Sequence, residues 1–561
     1  MKSATGSLLL ILFFLFFPGS AKEGFSWGIG HRTIGEGVLL RLPESLKKEL
    51  TPDQIQAFLT YNSYPDSLEN VDPNLAGPNA ILRMKEFKTQ KRFFFHKPEG
   101  RCIAFEMLVQ SLREKDWNRF VLWLGILSHS TADQISCNHE PLLHFITYCW
   151  GEEGMKLTND FSKCLDLGWI EGDPKTQKIW TDAVRDLSIP NTICNQKEIF
   201  FALHTIEWEG LEGNRYSMDL IRAINAWNSS KGYQEQADLA RTLVPFGTWA
   251  VRRIMIYVHS AIAIAQSTKN GKPLPVRFEP DQVKDLQKWI DRFILDRPIT
   301  DDAFIVPFLP PAGSDPKIGI LYDPSGRMGE GFFSFIDRVA AGLIAGSLQH
   351  RGSAGILDVR KVIRSGIDPK KTPLLILPCS RLTNYYPLKK KNLIDQIVQY
   401  RNKGGKILWI GGSPPQEILS KDLFGQMIFN PEKSTYLNPV YTVPMKDLMK
   451  SSVLLNGKEE GKFIREPRGK AGWSWPRSPW YFKEGARKAA DVFLELKSPD
   501  KTRIIGILSP KDHPDFGWLP AYTVFPCIFS GDHPRISPFE LKLDSTEEKI
   551  LEYAVDSLLL L

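Results

Sequence analysis

Between residues 297 and 316 the chain carries Pro298, Pro307, Pro310, Pro311 and Pro316. Proline fixes its own φ and lacks an N–H, so neither a helix interior nor a central strand passes through such a stretch. The chain is therefore built in parts, and its hydrophobic periodicity changes across this point. Before it, apolar residues recur at helical spacing with little strand-like alternation. After it, short apolar runs alternate with segments of helical period. A length of 561 residues also exceeds what one ordinary core accommodates. The expectation is a multidomain chain. A mostly α-helical domain occupies 27–275, a helix and Pro-rich linker 276–316, and an α/β domain with a mainly parallel sheet 317–561.

In the first part the spacing predicts helices over Ile34–Leu42, Trp117–His129 and Val251–Ala265. Thr51-Pro52-Asp53-Gln54 reads as a cap followed by proline in the first turn. In the second part, Lys317–Tyr322, Leu374–Leu377 and Lys406–Ile410 read as strands, with helices at Phe333–Leu348 and Asn392–Lys403 between them. Apolar strands alternating with helices are the signature of a parallel sheet covered on both faces. Further strands are expected at Val492–Leu496, Arg503–Leu508 and Tyr522–Phe529, and a last helix at Glu547–Leu560.

Near the start of the chain, the basic Lys2 precedes an unbroken apolar run of ten residues, Leu8–Phe17. Such a run is too short to span a bilayer comfortably but suits the core of a signal peptide. Residues 1–26 are read as that peptide, cleaved after 21 to leave Lys22 first or after 26 to leave Trp27 first. A secreted or periplasmic (extracytoplasmic) protein is expected. Composition agrees with a soluble globular chain, 42% hydrophobic and 24% charged. A net charge of +7 gives mild attraction to phosphate esters, and the sequence lacks the basic runs of a specific double-stranded nucleic-acid binder. Of seven cysteines, none forms a CxxC pair, which argues against thiolate zinc sites; export would permit disulfides.

Ten histidines occur in the chain, and His31, His96, His129, His139 and His204 all fall in the helical part. His129 and Asp133 stand four apart, so they share one helix face and can bind one metal ion or bridge two. Asp66 ends an apolar helix after Pro65, and Glu207 shares a helix face with His204. Imidazole and carboxylate without thiolate suit Zn2+, and two or three such ions would acidify water and clamp a phosphoryl oxygen.

The stretch Gly125-Ile126-Leu127-Ser128-His129-Ser130-Thr131-Ala132-Asp133, followed by His139, resembles the central motif of the zinc-dependent phospholipase C/D family, whose fold the S1/P1 nucleases share. Ala57–Asp66 resembles that family's apolar helix ending in Pro-Asp, and Trp27-Gly28-Ile29-Gly30-His31 its mature N-terminus. The resemblance covers residues 27 to about 266. It implies that Asp66, His96, His129 and Asp133 hold one zinc, with Asp133 bridging to a second held by His31 and by the terminal residue, Trp27. A third would be held by His139, His204 and Glu207; Trp208 stands where the family carries its carboxylate. Asp66 is also implied as the base or water-orienting group. The implied activity is hydrolysis of phospholipid or related head-group phosphate esters. Two alternatives stand beside it, a single-strand nuclease or nucleotidase and a non-catalytic binding or scaffold protein with a structural zinc.

The second part resembles class I glutamine-amidotransferase-like domains, including non-catalytic ones. Its strand-end segments are Asp323–Met328, Pro378–Arg381 and Gly411–Pro415. Cys379 lacks the Gly-x-Cys-x-Gly elbow and reads as a packed thiol, and His513-Pro514-Asp515 is the only nearby histidine–acid pair. Trp473, Trp475 and Trp480 form an aromatic patch that would pack on its own domain, stack on sugar or sit at a membrane surface.

Overall fold

The computed structural model describes residues 28–67, 72–88, 95–135, 143, 164–165, 167, 170, 173–189, 198–200, 202–203, 217–230, 232–269, 271–283, 285, 305–311, 313–323, 334–379, 393–411, 414–419, 441–442, 451–462, 480–482, 484–488, 490–510, 515–519, 543 and 545–560. The chain divides into two compact units. Residues 1–139, 163–213 and 230–290 form the first, and 140–162, 214–229 and 291–561 the second. No described helix is long and apolar enough to cross a membrane.

The first unit is helical. Its elements include α1 (Gly28–Arg41), α2 (Pro52–Tyr61), α3 (Tyr64–Ser67), α4 (Pro78–Glu86), α5 (Pro98–Glu114), α6 (Trp117–Ile135), α7 (Pro174–Arg185) and α8 (Tyr233–Gln266). α2 starts where the sequence places it: Thr51 and Gln54 form a reciprocal capping box and Pro52 occupies the first turn. α6 is the central element. From Phe120 through Asp133 every residue is buried, and the helix packs against α1, α2, α3, α5 and α8. A helix apolar on all sides belongs in a core. α8 is far longer than the predicted 251–265 segment and passes through Pro245. There the Thr248 hydroxyl donates to the carbonyls of Val244 and Pro245.

A buried ion pair braces this bundle. Arg83 of α4 binds both carboxylate oxygens of Glu106 on α5, at 2.7 and 2.9 Å. Glu106 also accepts from the Phe278 N–H, and Arg83 donates to the Phe278 carbonyl. Burial pushes the Glu106 carboxyl above its ordinary range, although Arg83 opposes the shift. Glu106→Ala would leave the buried Arg83 guanidinium with the partly exposed Glu86 as its remaining carboxylate and should cost about 3 kcal/mol of unfolding free energy by urea titration. A loss below about 1 kcal/mol would show that the brace is dispensable.

The second unit is built on one sheet of nine strands. They are β1 (Ile318–Tyr322), β2 (Ala354–Asp358), β3 (Leu374–Cys379), β4 (Lys406–Gly411), β5 (Ser452–Leu455), β6 (Lys458–Lys462), β7 (Asp491–Lys497), β8 (Thr502–Leu508) and β9 (Phe516–Leu519). Their order is β2-β1-β3-β4-β9-β8-β7-β5-β6. The pairs from β2 to β9 are parallel and those from β9 to β6 antiparallel, so the expected mainly parallel sheet is corrected to a mixed one. The connections explain the division. Parallel neighbours need a crossover of roughly a dozen residues or more. α9 (Ser334–Ser347), α10 (Val359–Ser365) and α11 (Leu393–Asn402) supply such crossovers between β1 and β4. β5 and β6 are joined by Asn456-Gly457 alone, both at positive φ, a hairpin turn that permits only antiparallel pairing.

α9 lies against β1, β2 and β3, and α12 (Ser545–Leu559) against β3, β4 and β9. α10 and α11 contribute Val362, Ile363, Ile397 and Tyr400 to a cluster with Leu321, Leu375, Ile407, Trp409 and Trp518. The strand expected at Tyr522–Phe529 lies outside the described residues.

Candidate metal centre

The centre grows from α6. His129 and Asp133, one turn apart, both point inward at 0% and 1% exposure. α1 brings His31, and the turn before α5 brings His96. The Asp133 carboxylate divides between them. Its Oδ1 lies 3.1 Å from His31 Nε2, while Oδ2 lies 3.0 Å from His96 Nε2 and 3.2 Å from His129 Nε2. The Nε2 atoms of His96 and His129 are themselves 3.0 Å apart. His31 stacks on His129 with ring centres 4.1 Å apart, and His96 meets His129 edge-on. His96 is the most open member, its side chain 22% exposed, so solvent reaches the group on that side.

Burial alone would push the Asp133 carboxyl up. The charge of His129 and hydrogen bonds from His129, His31 and His96 outweigh it and hold the group well below the ordinary carboxylate range. His129 is oriented from behind: its Nδ1 lies 2.8 Å from the Asn62 backbone carbonyl. A carbonyl only accepts, so Nδ1 donates to it, and Nε2 is the nitrogen that faces the centre, as in metal-binding histidines. The Asn62 side chain also donates from Nδ2 to the backbone carbonyl of His31.

This close approach depends on glycine. A Cβ on Gly125, one turn before His129, would lie 2.6 Å from Tyr61 Cβ and 3.1 Å from the Asn62 nitrogen. A Cβ on Gly35, one turn after His31, would lie 2.9 Å from Asn62 Nδ2. His96 is fixed differently. The buried Arg101 donates from Nη1 to the His96 carbonyl at 3.2 Å and from Nε to the Leu203 carbonyl at 2.9 Å. Tyr257 donates to the neighbouring Ala202 carbonyl at 3.0 Å.

His31, His129 and Asp133 form a group that can hold a metal ion, each offering one ligand atom with all of these within 4.8 Å of one another. The donor set fits: imidazole and carboxylate serve divalent first-row ions, and two donors here are fixed by backbone contacts. His96 joins on the Oδ2 side. Asp66 falls in α3, which packs against α6, and its side chain lies outside the described residues. Trp27, His139, His204 and Glu207 also lie outside them. The sequence reading did not single out Asn62 or Arg101. Both act through backbone carbonyls, which leave no mark in a pattern of side chains.

In the second unit the strand order reverses at β1, between β2 and β3, where open α/β sheets place ligands at carboxyl ends. Asp323 follows β1 and is buried, and Cys379 closes β3. Asp515 is engaged by the Arg401 guanidinium at 2.8 and 3.0 Å, a structural pairing. Its neighbour His513, the Cys379 side chain, and Trp473, Trp475 and the Trp480 side chain lie outside the described residues. In the first unit Cys102 is a buried thiol whose pKa is raised well above the usual range, first by desolvation.

Asp133→Asn keeps the shape of the centre and removes its charge. The full-length variant should retain less than a tenth of the wild-type metal after dialysis, read by elemental analysis; retention equal to wild type would exclude Asp133 as a ligand. No family model, curated protein or solved structure matches this chain, so the assignment of this centre stands on its own geometry.

Proposed function

We propose that the chain is a secreted zinc-dependent phosphodiesterase of the phospholipase C type, acting on phospholipid or related head-group phosphate esters. The observation that supports this reading is one buried carboxylate, Asp133, facing His31 with one oxygen and His96 and His129 with the other. A carboxylate engaged from both oxygens is the natural bridge of a two-ion centre. The resemblance around Gly125–Asp133 points the same way.

Tetrahedral zinc about 2.0–2.1 Å from its ligands separates them by about 3.3 Å. The spacings among Asp133 Oδ2, His96 Nε2 and His129 Nε2 are 3.0–3.2 Å, so these donors need to part by only a few tenths of an ångström. Bound zinc supplies Lewis acidity toward a phosphoryl oxygen and acidifies water. The chain's own residues do the rest. Asn62 holds His129 with Nε2 inward, and Arg101 holds the His96 turn. Asp66 is assigned as the base or water-orienting group. His139, His204 and Glu207 are assigned to a third site, and the amino group of Trp27 is assigned as a further ligand of the His31 ion. Trp473, Trp475 and Trp480 are assigned to contact with a membrane or sugar surface.

The test is elemental analysis of the exported protein, with assays on phosphatidylcholine and single-stranded DNA before and after chelation. We expect about two or three zinc ions per chain, and phosphatidylcholine hydrolysis that a chelator abolishes and zinc restores. Hydrolysis of DNA alone would move the assignment to a single-strand nuclease. Fewer than about two zinc ions together with hydrolysis of neither substrate would sink the enzymatic reading. Sequencing of the mature N-terminus decides that ligand: Trp27 in first place supplies the terminal amine, and Lys22 in first place removes it.

A further inference from the structure

Asn62 is fully buried at the C-terminal end of α2 and is used three times. Its N–H closes the helix by donating to Phe58 at 3.0 Å. Its carbonyl accepts from His129 Nδ1 on α6, and its side-chain amide donates to the carbonyl of His31 on α1. One residue therefore holds the two histidines that face opposite oxygens of Asp133. The two connections differ in kind. The hold on His129 is backbone and survives any substitution that keeps the fold, whereas the hold on His31 is the amide itself. The amide's Oδ1 has no partner among the described residues, so donation to His31 is its one side-chain hydrogen bond there. Gly35 leaves the space in which that amide lies.

We propose that Asn62 is a positioning residue that couples the two arms of the metal centre, its amide setting the His31 arm independently of the His96–His129 arm. This rests on the metal-binding reading of Asp133 and extends it. If it holds, shortening Asn62 removes support from one arm and leaves the other oriented. Losing an outer partner of a ligand typically lowers metal affinity by about 10–100-fold.

The experiment compares full-length wild type, Asn62→Ala and Gly35→Ala, titrated with Zn2+ and separately with Co2+. Gly35→Ala, on the same helix as His31, presses on the amide nitrogen while leaving Asn62 in place. Calorimetry reads affinity and stoichiometry, the Co2+ visible spectrum reads ligand geometry, and the melting temperature of the metal-free protein reads folding. Both variants should weaken one ion by about 10–100-fold and leave the other within about twofold, with its Co2+ spectrum unchanged; the metal-free melting temperature should be preserved in Asn62→Ala and fall in Gly35→Ala, where the added methyl overpacks the site. If both ions bind either variant as they bind wild type, the proposal is overturned. Loss of both ions together with a lowered metal-free melting temperature overturns it as well, since that is a merely structural role. Should wild type itself bind neither Zn2+ nor Co2+, it is the metal-binding reading that falls, a result distinct from the other two.

Discussion

Moving an ionised carboxylate from water into a helix core costs several kcal/mol unless partners replace the lost solvent. Asp133 is 1% exposed and stays ionised because three imidazoles surround it. Those imidazoles come from three segments, α1, the turn before α5, and α6 itself. None of the three can shift without leaving a charge inadequately solvated, so the electrostatics of one residue lock the packing of the bundle. The locking also runs the other way. α6 can carry a charge inside only because Phe120, Trp123, Leu124 and Leu127 bury the rest of its surface against its neighbours.

The geometry of that lock depends on how near one backbone comes to another. Tyr61 and Asn62, at the end of α2, lie against α6 where Gly125 removes the Cβ that would push them away. This brings the Asn62 carbonyl within 2.8 Å of the His129 ring, one turn on. Overpacking by even one methyl group in such a place forces a backbone shift. A small change in helix spacing thus becomes a change in ring orientation. Arg101 serves the same end for His96, spending a buried guanidinium on the carbonyls of Leu203 and of His96, the latter reached also by Gln134 Nε2.

What the sequence reveals follows from the range of each signal. His129 and Asp133 are legible because four residues make about one turn and the pair shares a face. His31 and His96 lie about a hundred and some thirty residues away, and nothing in their local pattern ties them to α6; only resemblance joined them beforehand. Asn62 and Arg101 stayed hidden because their roles pass through main-chain atoms and a close approach that only packing creates. In the second unit the alternation of β1, α9, β3, α11 and β4 was readable from period and length. Of the antiparallel half, β7 and β8 were readable as apolar runs, whereas β5, β6 and β9 were not, since β9 is four residues with a central glycine and β6 is Lys458–Lys462, mostly charged. One local signal was present there, Asn456-Gly457 between two short runs, which on its own marks a hairpin.

The two faces of Asp133 are not equivalent, and the inequality has a physical consequence. Around Oδ2 the Nε2 atoms of His96 and His129 sit 3.0 Å apart. The other ring nitrogen of His129 is taken by the Asn62 carbonyl, so Nε2 is the nitrogen it turns to the centre. A divalent ion there receives Oδ2 and both imidazoles at once, whereas a proton satisfies only one nitrogen. Around Oδ1 lies His31, whose ring also stacks on His129. An ion drawing on Oδ2 would thus meet two imidazoles, and one drawing on Oδ1 would meet His31 first.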